Sequence, residues 1–296
     1  MEFTRLGNRA VLVVEGEDRI AFLQGLISND ITKVTPDHAI WAGFLTPQGR
    51  FQYDLFITAL GDSLLIETDA DRIEAFVKRL TIFKLRSKVS LRLAPELSVW
   101  AAWGSGVEAA FGLSLGVGNA AGFDGGTVTV DPRLAGAGLR LVLPQDRAVT
   151  SLKNKGLTEA SFDRWDHLRL SLGLPDGSRD MEVDTNLLLE LGFEELGGVD
   201  FKKGCYMGQE NTTRSKHRKL IKRRLVQVNV QGETPPPGTP ILWQGEDVGQ
   251  MRSAIDGIGL ALVRLEKLKD AKTGLTCGSS KLIPHKPDWA VFPEVE

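Results

Sequence analysis

Residues 51–59 alternate between two kinds of side chain, and this period of two predicts a β-strand. The apolar face carries Phe51, Tyr53, Leu55, Ile57 and Ala59. Asp54 lies on the opposite face, so we expect its carboxylate to point away from the main core, among polar neighbours. Apolar residues at helical spacing predict two amphipathic helices, at 69–83 and at 159–172.

The pattern changes after a basic run at 216–224. A strand with alternating valines follows it, and the sequence Pro235-Pro236-Pro237-Gly238 interrupts that strand. Further short strands are predicted at 241–243, 247–251 and 259–263. Short strands separated by turns are typical of a small β-barrel or sandwich. We therefore expect an α+β region of two interleaved subdomains over residues 1–222, and a β-barrel domain over residues 223–296.

Composition excludes several kinds of site. The net charge of −2 over 296 residues gives no overall attraction for nucleic acid, and no apolar run is long enough to enter a membrane. Two cysteines cannot supply the four thiolates of a self-contained iron–sulfur cluster. The four histidines form no ligand-like pair, so no metal site is expected. The scarcity of cysteine and the lack of a secretory signal predict a reducing, cytoplasmic location.

The segment Lys202-Lys203-Gly204-Cys205-Tyr206-Met207-Gly208-Gln209-Glu210 concentrates the candidate chemistry of the chain. Glycines on both sides of Cys205 allow positive φ and close approach of another group. The ammonium of Lys203 favours the thiolate, which is the reactive form of cysteine. A short helix is expected to follow, opened by Gln209, Glu210 and Arg214. The alternative is a buried cysteine that fills space in a tight turn. The second cysteine, Cys277, has no charged neighbour and is expected to be structural.

These residues resemble the signature of YgfZ-type folate-binding proteins, which are related to the T-protein (aminomethyltransferase) of the glycine-cleavage system. Similar segments lie at 22–31, 45–55, 168–170 and 248–263. The resemblance implies an α+β fold, a T-protein-like ring of α+β units around a central opening with a small C-terminal β-barrel. Tetrahydrofolate or a folate derivative would bind in that opening, and the cysteine loop would lie near it.

The resemblance also assigns roles to single residues. Asp54 matches an aspartate that acts at the folate amine, so Asp54 and Cys205 are the catalytic candidates. Ser171 stands where T-proteins carry a glutamate that holds the pterin. A hydroxyl cannot accept two hydrogen bonds from an aminopyrimidine edge as a carboxylate does, so Glu190 becomes the substitute. The candidate folate-binding residues are Asp54, Lys203, Gln209, Glu210, Arg214 and Glu190.

Family members act late in iron–sulfur cluster assembly, which gives the leading hypothesis: a folate-binding accessory protein that assembles or repairs clusters in client enzymes through Cys205. Its partners would be assembly or client proteins, and it would be an assembly factor more than an enzyme. The alternative is a tetrahydrofolate-dependent aminomethyl or one-carbon transferase, with Asp54 as the electrostatic or general-base group. Ser171 counts against transfer chemistry.

A third hypothesis is an RNA-binding factor related to tRNA modification. Six basic residues lie within the nine positions 216–224 and could contact phosphates weakly, as in tRNA. Runs of this kind are more often solvated or paired with acidic groups. The anionic glutamyl tail of a folate is another ligand that this run could attract.

Overall fold

A computed structural model describes residues 1–218, 221–268 and 274–292. Its strands are β1 (Glu2–Arg5), β2 (Arg9–Glu15), β3 (Ile40–Leu45), β4 (Phe51–Leu60), β5 (Ser63–Asp69), β6 (Ser90–Leu93), β7 (Leu97–Trp103), β8 (Ala120–Phe123), β9 (Gly126–Val130), β10 (Leu139–Pro144), β11 (Thr158–Glu159), β12 (Arg223–Gln231), β13 (Pro240–Trp243), β14 (Glu246–Ile255), β15 (Ile258–Arg264), β16 (Leu275–Cys277) and β17 (Ser280–His285). Its α-helices are α1 (Arg19–Gln24), α2 (Ile73–Lys84), α3 (Val107–Ala110), α4 (Ala148–Asn154), α5 (Phe162–Ser171), α6 (Gly177–Asp180), α7 (Gln209–His217) and α8 (Leu265–Leu268).

Two open sheets form the N-terminal part of the molecule. One has the strand order β3-β4-β5-β2-β6, and the other has the order β11-β1-β7-β10-β9-β8. The sheets meet through side chains of their facing strands. The hydroxyl of Thr58 on β4 lies 3.2 Å from that of Thr127 on β9, and Arg140 on β10 is ion-paired with Glu67 on β5. Polar groups therefore line the junction between the two sheets.

The alternation of β4 predicted one apolar face, but the strand lies between two apolar cores. Tyr53, Leu55 and Ile57 pack with α2 in one core, and Phe56 packs on the opposite face with Trp41. Asp54 shares that opposite face, but it is fully buried. The strand is therefore covered on both sides, and its second face lies inside the protein.

The C-terminal strands close into a barrel in the order β12-β15-β14-β13-β16-β17. Val226, Val228 and Val230 point into its core with Val263 and Leu282. This arrangement follows from the alternation along β12, because every second side chain of a strand faces the same side. The predicted C-terminal β-barrel is therefore confirmed, and the domain boundary at residue 222 stays a prediction.

Both predicted helices begin later than their apolar spacing indicated. Residues 70–72 form a 3₁₀ turn, so α2 starts at Ile73. Residues 158–159 pair in parallel with Glu2 and Phe3, so α5 cannot start before that bridge ends. Within the described ranges, none of the helices has the length and apolarity needed to cross a membrane.

Candidate functional site

Cys205 is exposed on the loop that precedes α7. The glycines that flank it adopt the left-handed conformation, with φ of 93° at Gly204 and 81° at Gly208. A side chain in this region is strained, so the loop requires glycine at both positions. The sulfur is presented to solvent by a backbone of defined shape, and the alternative of a buried space-filling thiol does not describe it.

Lys203 anchors the loop to the end of α1. Its Nζ donates to the carbonyl oxygens of Gln24, Ile27 and Asn29 at 2.8, 2.6 and 2.7 Å. Burial lowers the pKa of Lys203 to about 8, against the opposing attraction of Asp30 and Asp200. The three carbonyls use the three hydrogens of the ammonium, so the structure gives Lys203 an anchoring role. Its action on the Cys205 thiol stays a prediction.

Hydrogen bonds from the end of α1 and the turn that follows it also hold the loop. The side-chain amide of Gln24 donates to the carbonyl of Lys203 at 3.2 Å, and the backbone N–H of Met207 donates to the carbonyl of Gly25 at 3.0 Å. Asn29 donates through its amide to the carbonyls of Trp41 and Gly197, both at 2.8 Å. The segments at 22–31 and 201–210, both part of the resemblance, are therefore one structural unit. Sequence reasoning did not assign Gln24 or Asn29 to the site.

The third segment of the resemblance, at 45–55, also contacts the loop. A methyl group on Gly208 would lie 2.5 Å from the carbonyl oxygen of Thr46, and one on Gly49 would lie 2.7 Å from the carbonyl oxygen of Gly208. The amide of Asn211 donates to the carbonyl of Gln48 at 3.1 Å. The start of α7 is therefore packed backbone-to-backbone against the β3–β4 turn.

The residues of α7 that were predicted for the site contact other residues of the loop and of α7. The Gln209 side chain accepts from the backbone N–H of Tyr206 at 3.2 Å. Glu210 and Arg214 form an exposed pair one turn apart at 2.6 Å. Tyr206 is buried beneath the loop, and burial raises its pKa to about 12. These contacts hold the loop, and binding of a folate by any of them stays a prediction.

Asp54 lies in a buried charge network at the junction of the sheets, which we call the arginine centre (Arg9, Asp54, Glu67, Asp69, Asp131, Arg133, Arg140 and Asp176). Arg9 donates to Asp54 at 2.9 Å, to Glu67 at 2.8 Å and to Asp69 at 3.2 Å. Arg140 pairs with Glu67 and lies with its guanidinium carbon 3.7 Å from the centre of the Phe56 ring. Buried charges need such partners, because each one alone is costly to desolvate.

The arginine centre shifts the acidity of its members in opposite directions. Burial opposes ionisation of Asp131, but Arg133 and Arg140 outweigh it and lower the pKa of that carboxyl. Burial raises the pKa of Asp69, and the attraction of Arg9 only partly opposes this. Arg133 and Arg140 therefore favour the ionised form of Asp131, and Arg9 favours that of Asp69.

A folate does not fit the described centre. The cavity between the sheets, lined by Phe56, Glu67 and Arg140 among others, has a volume of about 10 Å³. That is room for about one water molecule, and ligand sites typically measure about 300 Å³ or more. Asp54 is occupied by Arg9, and Ser171 is exposed with its hydroxyl donating to the carbonyl of Leu168. Arginine and aromatic side chains fill the junction between the two sheets.

Glu190 does not face that centre as a free carboxylate. It accepts from the backbone N–H of Leu187 at 3.1 Å and from Arg223 Nε at 3.1 Å. Both oxygens of this buried group therefore have partners, one at the start of the 3₁₀ turn Leu188–Leu191 and one in β12. Its role as a pterin ligand stays a prediction that these contacts oppose.

The basic run at 216–224 is mostly paired with acidic groups. Lys216 pairs with Glu194, Arg223 with Glu190, and Arg224 with Glu195. Lys219 lies outside the described residues. Arg218 and Lys222 are exposed. These three ion pairs connect α7 and the barrel to the segment at 188–195.

Neither cysteine belongs to a ready-made metal site. Within residues 1–218, 221–268 and 274–292, no cluster of three or more histidine, cysteine or acidic side chains can hold a metal ion. Cys277 is buried in the barrel core, and burial raises its pKa to about 11. The two thiols therefore differ in accessibility.

The chain is similar to a family of C-terminal barrel domains and to several mitochondrial proteins. Residues 222–292 match the family model described as CAF17, C-terminal beta-barrel domain. The human protein named iron-sulfur cluster assembly factor IBA57, mitochondrial, is 35% identical over 90% of this chain and 78% of its own. The mouse protein of the same name is 31% identical over 96% and 84%. The Neurospora crassa homologue is 35% identical over 80% and 55%.

Among solved structures, the chain is similar to the glycine cleavage system aminomethyltransferase T from Bartonella henselae. The TM-score is 0.77 at 18% identity, with 96% of this chain and 84% of that chain covered. At this identity the likeness shows the fold alone, and it confirms the predicted T-protein-like α+β architecture. The resemblance to the wider superfamily is confirmed as well.

The cytoplasmic prediction is wrong. The matched relatives are named mitochondrial proteins, which points to the mitochondrion. The prediction failed because the scarcity of cysteine argues only against an oxidising compartment and does not distinguish one reducing compartment from another.

Proposed function

Because the chain belongs to the IBA57 family of iron–sulfur cluster assembly factors, we propose that it supports cluster assembly in client proteins through the Cys205 loop. The observation that carries this proposal is an exposed thiol on a loop that two neighbouring segments, 22–31 and 45–55, hold in place. A thiol that meets a partner must be accessible, and one that ligates metal must also be positioned. Cys205 meets both requirements.

A single thiolate supplies one ligand, and clusters held by cysteine usually require four. The remaining ligands must therefore come from a partner protein, which fits the absence of a metal-binding cluster in the described ranges. On iron binding, the Cys205 thiol loses its proton to solvent and its sulfur bonds the metal. Exchange with a partner's cysteine is the other route open to this thiol, and it would require an oxidised sulfur on the partner.

Folate assistance and aminomethyl transfer are not favoured. A pterin in the arginine centre would have to displace the guanidiniums that hold Asp54 and Glu67. Removing a partner from a buried carboxylate costs several kcal/mol, on the order of 3–5. RNA binding is not favoured either, because Lys216 and Arg224 at the two ends of the basic run already contact carboxylates.

The test is complementation in cells that lack the chain. Cys205→Ala should abolish the activity of iron–sulfur enzymes that depend on it, while the protein keeps its normal level. Cys277→Ala is the matched control, since it removes the other thiol, and it should restore activity wherever it accumulates. Full restoration by Cys205→Ala would refute the proposal.

A further inference from the structure

We propose that the outer face of the C-terminal barrel binds a small polyanion through Arg223, Arg252 and Arg264. The three side chains line one cleft of about 330 Å³, together with Gln250, Asp247 and apolar residues. Small-molecule sites start at about this volume. Guanidinium groups recognise carboxylate and phosphate oxygens through paired N–H donors, so three of them in one cleft select for negative charge.

Two of these arginines face each other across the sheet. Arg223 on β12 and Arg264 on β15 are direct partners in the antiparallel register. Like charges at such positions repel and destabilise a strand pair. An anion between the two guanidiniums would convert this repulsion into two attractive contacts.

The third arginine has an unused donor. The Arg252 side chain is only 10% exposed, and its Nε is buried and finds no acceptor among the described residues. A buried N–H without a partner carries a desolvation cost that a hydrogen bond would remove. Arg252 also lines the cleft, so a ligand oxygen bound to its guanidinium would offset this cost.

Acidic neighbours define which ligand the cleft accepts. Arg223 is held by buried Glu190, whereas Arg252 and Arg264 pair with Glu182 at 3.0 Å and Glu246 at 3.4 Å. Glu182 and Glu246 are 46% and 48% exposed, so these pairs are weak and exchangeable. Asp247 remains in the lining and disfavours anions of low charge. The cleft therefore suits a compact ligand with several charges, such as a tricarboxylate or a polyphosphate.

Isothermal titration of the full chain with citrate and with pyrophosphate tests this site at low ionic strength. We expect saturable 1:1 binding of at least one probe, and the tighter probe identifies carboxylate or phosphate as the preferred group. Arg264→Gln, an exposed change expected to leave the fold intact, should weaken binding about tenfold. Arg252→Gln should do the same, and its melting curve reports whether the variant is folded.

Arg92→Gln is the matched control, because Arg92 forms an exposed pair with Glu96 on another sheet. It should leave the affinity unchanged. Absence of saturable binding of either probe would overturn the proposal. So would binding that Arg264→Gln leaves unchanged, since the anion would then lie elsewhere.

Discussion

The arginine centre and the cysteine loop use their charged groups in opposite ways. In the centre, Arg9 and Arg140 are buried against carboxylates and an aromatic ring, and the space left is about 10 Å³. In the loop, the ammonium of Lys203 donates to three backbone carbonyls, and Cys205 remains exposed. The charged groups of the centre bond to one another, whereas the loop leaves the Cys205 thiol exposed.

This difference teaches that a shared fold need not carry a shared site. The chain has the fold of an aminomethyltransferase, with a TM-score of 0.77, and its cavity between the two sheets measures only about 10 Å³. Function follows from the groups at a site more than from the fold around it. We therefore propose a supporting role for the arginine centre and a chemical role for the cysteine loop.

The largest expected effect comes from removing the key cation of the centre. Arg9→Met would leave Asp54, Glu67 and Asp69 without their shared partner, so the free energy of unfolding should fall by about 3–5 kcal/mol. Urea denaturation measures the loss. Arg92→Met, at the exposed pair with Glu96, should cost less than about 1 kcal/mol. Equal effects of the two changes would remove the contrast between buried and exposed pairs.

A smaller effect is expected in the loop. Gly208→Ala and Gly204→Ala both place a side chain at positive φ, but only the first brings a methyl group within 2.5 Å of a backbone oxygen. We expect about 1 kcal/mol of destabilisation for Gly204→Ala and about 1–3 kcal/mol more for Gly208→Ala. The difference between the two denaturation midpoints isolates the contact with Thr46. If the two variants match, α7 is not held by that contact.

Acid should weaken the protein through the buried carboxylates. Arginine partners lower the pKa of Asp131 in the centre and oppose burial to lower that of Asp166 on α5. The stability that these groups contribute is fully present above about pH 4, their unfolded pKa, and is lost as pH falls toward their folded values. Asp69 acts in the opposite direction. Its pKa is raised because burial penalises the carboxylate, so protonation at low pH removes that penalty. The free energy of unfolding should therefore decline as the pH falls below about 4, and a flat profile would contradict this.

The smallest effect concerns the Lys203 ammonium. Its folded pKa of about 8 lies below the ordinary 10.5, so from pH 8 to 10.5 the unfolded chain binds more protons and stability rises with pH. Nuclear magnetic resonance of the labelled side chain should show a midpoint near 8. Lys267 serves as the control, since a hydrogen bond to Glu246 raises its pKa. A Lys203 midpoint at the ordinary value would contradict this prediction and would mean that the three carbonyls outweigh the effect of burial.

Local patterns predicted the loop and the barrel because their signals lie within short segments. The glycines around Cys205 and the alternating valines of β12 each carry their own geometric requirement. The arginine centre could not be predicted in this way. Arg9, Glu67 and Arg140 come from three strands that lie far apart in the sequence. Nothing near Arg9 in the sequence indicates a buried cation. Burial of Asp54 likewise depends on the second sheet, which the alternation of β4 does not reveal.

Titration of the wild-type protein with tetrahydrofolate tests most directly whether the arginine centre is closed and the loop carries the chemistry. With a cavity of about 10 Å³, we expect no saturable binding up to about 1 mM ligand. Stoichiometric binding in the micromolar range, displaced by an excess of a second folate, would contradict the account. Such binding would mean that the protein offers a folate more room than the described cavity of about 10 Å³.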